Sequence, residues 1–252
     1  MSQVAKDRRS LIQSELLDRK QVVASDLATR LNVSEATVRR DLKVLSDEGQ
    51  AELVHGGANL PRNVDFSFQA KQHRQGEAKS VIGSLAAGLV KDGDLIFLDS
   101  GTTCAAMAPY LAARRGVRVV VNSARLALDL KGPEVIILGG QYRPERMDAV
   151  GPLAHATLSE LRGYVAFIGA DGLDMEIGPS ACDIDSAHLH RLAVANARQT
   201  VLLVDHSKFA AASLFRIVDW SRISTLVTDS IPDPAWGEFL AARTITVVHP
   251  AS

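Results

Sequence analysis

Seven short apolar runs constrain the fold most: DLIFLD (94–99), VRVVVN (117–122), EVIILGG (134–140), YVAFIGAD (164–171), TVLLVD (200–205), STLVTD (224–229) and TITVVH (244–249). Each is rich in Val, Ile or Leu, and helical patterns separate them. A strand with one wet face alternates apolar and polar residues, whereas these runs are continuous. They therefore read as strands covered on both faces, which means a mainly parallel α/β sheet. Most of the runs close on Asp, Asn or Gly. Ligands of open parallel sheets gather at the carboxyl ends of the strands, so chemistry is expected there.

The first 60 or so residues have another texture. Leu11, Ile12, Leu16 and Leu17 carry helical spacing, and Val22-Val23 marks a short strand or turn. Ser25 is placed to cap a second helix bearing Leu27, Ala28 and Leu31, and Asn32-Val33 makes a turn. A third helix then begins at Ser34 in VSEATVRRDLK (33–43). At about 100° per residue, Val38, Leu42 and Leu45 form one stripe. Ala36, Arg39, Arg40 and Lys43 fall on the opposite side. Helix, short turn and helix is the arrangement that sets a second helix into the DNA major groove. Gly49 ends the third helix, and AELVHGGANL is expected to form a hairpin wing turning at Gly56-Gly57. His55, and Arg62 beyond it, are candidates for backbone phosphate contacts. The expected organisation is a winged helix-turn-helix domain (1–62), a linker (63–79) and an α/β effector-binding and oligomerisation domain (80–252).

Composition narrows the classes. Hydrophobic residues make up 46% and charged residues 23%, normal for a globular protein, and 5% aromatics imply an aliphatic core. The formal net charge is −1, so nucleic-acid affinity must come from local clustering. The N-terminus MSQVAKDRRS has no apolar run, and no stretch reaches the roughly 18 residues of a membrane span, so a cytoplasmic protein without a membrane partner is expected. Cys104 and Cys182 lack metal-ligand spacing and read as reduced thiols, with no metal site. Neither a Walker loop nor a GxGxxG after a strand occurs, so no nucleotide or other cofactor is expected.

The small-molecule signal is strongest in DSGTT (99–103), where a strand runs into Asp99 and Ser100, Gly101, Thr102 and Thr103 open a helix. Amides and hydroxyls converging at such a turn suit a phosphate, although strand–Gly–helix turns also arise for purely steric reasons. Further polar groups recur at strand ends: Asn122, Gly139 and Gly140 with Arg143, Gly169 with Asp171, and Asp205 with Lys208. Together they suit a polyol bearing an anion, with acids and Asn for hydroxyls and cations for phosphate.

VSEATVRRDLKVLSDEG followed by HGGA, and then DSGTT, VNS, LGGQYR, FIGADG and VDHSKF in order, resemble the DeoR family of transcriptional regulators over nearly the whole chain. The resemblance implies a C-terminal fold related to ribose-phosphate isomerases that senses a phosphorylated sugar. It also implies a DNA-binding domain that represses a sugar-utilisation operon until that effector accumulates. Two departures stand out. Leu53 occupies the position where the family commonly carries an Arg before HGGA. Ser186 and His190, in DIDSAHLHRL, stand where it commonly carries a Glu and, four residues on, a Lys. Losing that carboxylate is expected to ease entry of a ligand with a second anionic group, or of one lacking the hydroxyl that the Glu would hold.

The expected function is a homodimeric or homotetrameric repressor that binds double-stranded operator DNA and is released by a phosphorylated sugar or anionic analogue. Arg39, Arg40 and Lys43 would contact phosphates and bases, with Ser34, Glu35, Ala36 and Thr37 near base edges. The rival is a sugar-phosphate isomerase-like enzyme, for which Asp99, Asp171 or Asp205 would be the base; a sensor domain that has lost its ligand is a third reading.

Overall fold

The computed structural model describes residues 3–61, 68–210 and 212–250, which divide into two compact units, 1–76 and 77–252. Among the described residues no helix is long and apolar enough to cross a membrane.

The first unit contains α1 (Gln3–Arg19), β1 (Gln21–Val23), α2 (Ala24–Leu31), α3 (Glu35–Asp47), β2 (Glu52–Val54), β3 (Gly57–Asn59) and α4 (Phe68–His73). Ile12, Leu16, Val22, Leu27, Val38, Leu42, Leu45 and Ala58 make its core, while Leu11 stays exposed. Val22-Val23 forms β1, which pairs antiparallel with β3 of the wing. That pairing moves the start of α2: Val23, not Ser25, occupies the cap position. The amide of Ala24 needs no side-chain cap because it donates to the carbonyl of Gly56 at 2.8 Å.

The wing turns on His55 and Gly56 rather than Gly56-Gly57, since Val54 and Gly57 are already paired. Gly56 takes φ +78°, and Gly57 lets β1 approach, because a Cβ there would lie 1.9 Å from the carbonyl oxygen of Val22. Half of the expected linker is helical: α4 packs on α1 through buried Phe68 and Ala70, and Arg74 pairs with Asp18 at 2.7 Å. Arg62 and residues 63–67 lie outside the described residues.

The second unit follows α5 (Gly76–Gly88) with β4 (Leu95–Leu98), α6 (Thr102–Ala105), α7 (Ala108–Leu111), β5 (Arg118–Val121), α8 (Ala124–Asp129) and β6 (Glu134–Ile137). Then come β7 (Gln141–Arg143), β8 (Asp148–Val150), α9 (Pro152–Ser159), β9 (Val165–Gly169), β10 (Gly172–Asp174), β11 (Gly178–Ala181) and α10 (Ile184–Asn196). The chain closes with β12 (Gln199–Leu203), β13 (Phe215–Arg216), β14 (Thr225–Val227), α11 (Pro234–Ala241) and β15 (Thr246–Val248).

All seven runs singled out in the sequence pair as one parallel sheet, in the order β15-β14-β12-β9-β4-β5-β6. Alternate residues feed opposite cores. Ile96, Leu98, Val119, Val121, Val165 and Phe167 join one, packed with Ile82 and Ala86 of α5. Phe97, Val120, Ala166, Ile168 and Leu202 join the other, with Leu158 of α9 and Leu189 of α10. Both faces are buried, which is why the runs carry no polar alternation. Two small antiparallel sheets, β7-β8 and β10-β11-β13, were not anticipated.

Candidate functional site

On α3 the two faces separate as the periodicity requires. Val38, Leu42 and Leu45 are buried, while Glu35, Ala36, Arg39, Arg40 and Lys43 are exposed and Thr37 is half-buried. Ser34 caps the helix, its Oγ accepting from the amide of Thr37 at 3.2 Å. Asp41, which the sequence reading passed over, is buried and bonded by Arg8 Nε of α1 at 2.6 Å, fixing α3 against α1. Arg39 donates to Glu35 and Lys43 to Asp47, each at 2.6 Å and each one helical turn away. Exposed pairs of this spacing are worth about 0.3–0.5 kcal/mol, so neither pair costs much to break. Arg40 is exposed and makes no ion pair among the described residues. His55 is exposed at the wing tip, and Leu53 on β2 is 44% exposed.

At the carboxyl end of the parallel sheet the second unit gathers most of the other candidates. Asp99 follows β4 and is buried; its Oδ1 lies 2.6 Å from His190 Nε2, and its Oδ2 accepts from the amide of Gly169 at 3.2 Å. Burial pushes the Asp99 carboxyl up, but the His190 charge and hydrogen bond, with the amides of Gly169 and Gly101, outweigh it and hold the group below its ordinary value. Burial likewise lowers His190, yet Asp99 and then Asp171 more than compensate, against Arg146, and the imidazole sits above its ordinary value. Helix α10 thus turns His190 inward, onto the strand ends. Gly101 is required beside this carboxylate, since a Cβ there would lie 2.9 Å from Asp99 Oδ2. Cys104 is buried against Asp99; burial and then the carboxylate push its thiol well up, which leaves it unreactive.

A second cluster surrounds Arg143. Its Nε and Nη2 donate to Asp148 at 2.8 and 2.7 Å, Nη1 to Asp183 at 2.8 Å, and Nη2 also to Ser186 at 3.1 Å. Desolvation opposes the charge on Arg143, but the two carboxylates raise its pKa overall. Asp183 caps α10 by accepting from the amides of Asp185 and Ser186. Its carboxyl, pushed up by burial, is held well below the usual range by Arg143, Ser186 and Arg146. Ser100 Oγ donates to Asp148 at 3.1 Å, tying the DSGTT turn to the β7–β8 hairpin. Arg146 reaches Ser186 Oγ at 2.9 Å and Cys182 Sγ at 3.3 Å, and the amide of Cys182 donates to Asp171 at 3.0 Å. Asn122, after β5, is buried and donates to the carbonyl of Ala149 at 3.3 Å.

Asp205 follows β12 and accepts from Ser207. Burial raises its carboxyl, and Lys208, Ser207 and Lys79 bring it below the ordinary value. Thr103 is buried and Thr102 half-buried in the first turn of α6. Gly139 and Gly140 stay exposed after β6; a Cβ on Gly140, which takes φ +146°, would lie 2.5 Å from the carbonyl oxygen of Val150.

Sequence reasoning missed Lys79, Arg146, Asp148 and Asp183. Lys79 had a legible signal, for it shares the stripe Lys79, Ile82, Gly83, Ala86 and is only 6% exposed. Treating 63–79 as linker hid that periodicity. The other three are joined only by folding.

Comparison with known proteins agrees with this division of labour. The family model for the DeoR-like helix-turn-helix domain matches residues 8–64, and that for the DeoR C terminal sensor domain matches residues 74–230. The HTH-type transcriptional repressor CsqR of Escherichia coli (strain K12) is 32% identical over 89% of this chain and 88% of its own length. The HTH-type transcriptional repressor GlcR of Bacillus subtilis (strain 168) is 32% identical over 87% of this chain and 86% of its own. Among solved structures, ribose 5-phosphate isomerase A from Methanocaldococcus jannaschii aligns with a TM-score of 0.40 and 21% identity over 54% of this chain and 55% of that one, a level at which no activity is carried across. Two family models in sequence and full-length regulators at this identity establish that the chain belongs to the DeoR family of DNA-binding transcriptional regulators.

Proposed function

We propose that the protein is a cytoplasmic repressor of a sugar-utilisation operon, released from its operator by a phosphorylated sugar. The observation that carries this is the convergence of Asp99, Asn122, Arg143, Ser186 and His190 at the strand ends of a sensor-family domain. Ser100, Gly101, Thr102 and Thr103 bind the phosphate through amides and hydroxyls, and Lys208 and Lys79, the cations acting on Asp205, add positive charge at the strand ends. Asn122, Asp171 and Asp205 take ligand hydroxyls, and the backbones at Gly139, Gly140 and Gly169 allow close approach.

Ser34, Glu35, Ala36 and Thr37 face base edges, and Arg39, Arg40, Lys43 and His55 take phosphates and bases. The protein acts as a homodimer or homotetramer, because one winged domain reads too few base pairs to find an operator among genomic competitors. The isomerase reading is not favoured, since Asp99 is ion-paired by His190 and held below the range of a base working near neutrality. The experiment is a thermal-shift screen of phosphosugars on the full chain. It is followed by fluorescence anisotropy on a duplex selected by the protein from a random library. A sugar phosphate that stabilises the protein and releases the duplex is expected; turnover of that sugar phosphate, or stabilisation without any effect on DNA, would sink the proposal.

A further inference from the structure

Two polar atoms at the strand ends are cut off from solvent and have no hydrogen-bond partner: His190 Nδ1 and Asn122 Oδ1. Neither side chain is free to turn and satisfy itself. His190 is 6% exposed and anchored through Nε2 to Asp99 at 2.6 Å, and Asp99 is itself held by the amide of Gly169. Asn122 is 2% exposed and anchored through Nδ2 to the carbonyl of Ala149. Flipping either group would trade one unpaired atom for another. Native structures pair the great majority of such atoms, so two on one sheet edge call for an explanation. They also lie close in the topology. Leu98 and Val121 are in register, so Asp99, which carries His190, and Asn122 leave the sheet from neighbouring strands.

The chemistry of each atom follows from its surroundings. An ionised Asp99 accepts only, so Nε2 must be the protonated nitrogen facing it. The charged groups acting on the ring are Asp99 from the end of β4, Asp171 from the loop after β9, and Arg146 from the β7–β8 turn. Burial works against a charged ring, but the charge and hydrogen bond of Asp99, with the charge of Asp171, outweigh it and Arg146 and favour the doubly protonated form, whose Nδ1–H is a donor in need of an acceptor. Asn122 Oδ1 is an acceptor in need of a donor. Asp171 also changes the reading of the Ser186 departure: the absent Glu leaves no deficit of negative charge, because Asp171 and Asp183 supply it. His190 and Arg146 balance Asp99 and Asp171, and an uncharged ligand oxygen keeps that balance where a carboxylate would upset it.

We propose that His190 Nδ1 and Asn122 Oδ1 read the polyol end of the effector, His190 donating to an uncharged sugar oxygen and Asn122 accepting from a sugar hydroxyl. The effector is then a phosphorylated aldose or ketose rather than a phosphorylated sugar acid. This rests on the sugar-phosphate reading of the site.

Calorimetry on the full chain tests it with ribose 5-phosphate, fructose 6-phosphate, glucose 6-phosphate, 6-phosphogluconate and inorganic phosphate as probes. His190→Gln keeps an amide donor for Asp99 but loses the Nδ1 donor. His190→Asn keeps a donor near Nδ1 and loses the one facing Asp99. The best-binding sugar phosphate is expected to lose about tenfold in affinity in His190→Gln and in Asn122→Ala, the worth of one hydrogen bond in a desolvated site. Inorganic phosphate should bind both as it binds the parent, and His190→Asn should lose less affinity than His190→Gln while melting lower. In the parent, the preference for sugar phosphate over inorganic phosphate should fall more steeply as pH rises through the titration of His190 than it does in His190→Gln, where only the phosphates' own titrations remain. Sugar-phosphate affinity equal in parent and His190→Gln overturns this inference alone, as does tighter binding of 6-phosphogluconate than of every neutral sugar phosphate. A parent that binds none of the sugar phosphates overturns the proposed function and this inference with it.

Discussion

Replacing Arg40 and Lys43 together by Ala isolates the electrostatic share of operator binding. Both side chains point away from the stripe of Val38, Leu42 and Leu45, and both are exposed. The native helix loses only the Lys43–Asp47 pair, worth about 0.3–0.5 kcal/mol, and alanine's higher helix propensity offsets part of it. Melting temperature should therefore stay within a degree or two of the parent. Each phosphate contact contributes about 0.9 to the slope of log affinity against log salt, so the double variant should be shallower by about 1.8. Between ~50 and ~200 mM salt, the parent should then lose about tenfold more affinity than the variant. Fluorescence anisotropy on the selected duplex across that salt range measures both slopes. Parallel lines, with both proteins folded, would remove Arg40 and Lys43 from the DNA contact and refute the assignment of this face.

Four further outcomes are expected. Arg143→Ala leaves Asp148, whose side chain is 1% exposed, and Asp183 without their guanidinium, and chemical denaturation should show a loss of about 3–5 kcal/mol. Gly57→Ala drives a Cβ into the Val22 carbonyl, so the first unit should lose at least ~2 kcal/mol and its melting should shift while the second unit's does not. Thr102→Val with Thr103→Val should weaken sugar-phosphate binding in calorimetry without changing effector-free DNA affinity; unchanged effector affinity would reduce the threonines to local packing. The Asp99–His190 pair should also shape stability against pH. His190 is raised, so its contribution is full below about 6.5 and fades as pH climbs through its folded value; Asp99 is lowered, so its contribution is full above about 3.9 and fades as pH falls. Denaturation midpoints should hence fall off on both sides of a plateau between those values, and His190→Gln should flatten the alkaline side.

The sheet was legible because each strand states its burial locally: a run such as VAFIG is apolar at every position when both faces are covered. The α3 faces were legible for the equivalent reason at helical period. What was lost is what local pattern does not encode. β7 and β8 are three residues each, and their sequences QYR and DAV carry no run that distinguishes strand from loop. Their importance lies in Asp148, which is buried only because the hairpin folds back onto Ser100 and Ser123. The start of α2 was misplaced because Ala24 is satisfied by Gly56, 32 positions away in sequence, and a capping rule sees only neighbours. His190 was named from its departure from relatives, but its partner Asp99 lies 91 residues earlier, and only the fold joins them.

That junction bears on why a sheet with acids at its strand ends serves sensing rather than catalysis. A general base near neutrality needs an accessible lone pair and a pKa close to the working pH. Asp99 has neither: Oδ1 is taken by His190, Oδ2 by the amide of Gly169, and the net effect of its partners is to hold it ionised and weakly basic. Asp183 is spent on Arg143 and on the first amides of α10, and Asp205 on Ser207 and the charges of Lys208 and Lys79. Each of these carboxylates is committed to holding a cation or a helix terminus in place. A ligand that offers oxygens here gains hydrogen bonds to groups already oriented, and so binds without much reorganisation. In Asp99, Asp183 and Asp205 it does not meet a carboxylate ready to remove a proton from carbon. A site built this way suits a sensor that binds its effector and returns it unchanged, which is what a reversible signal to the DNA-binding unit requires.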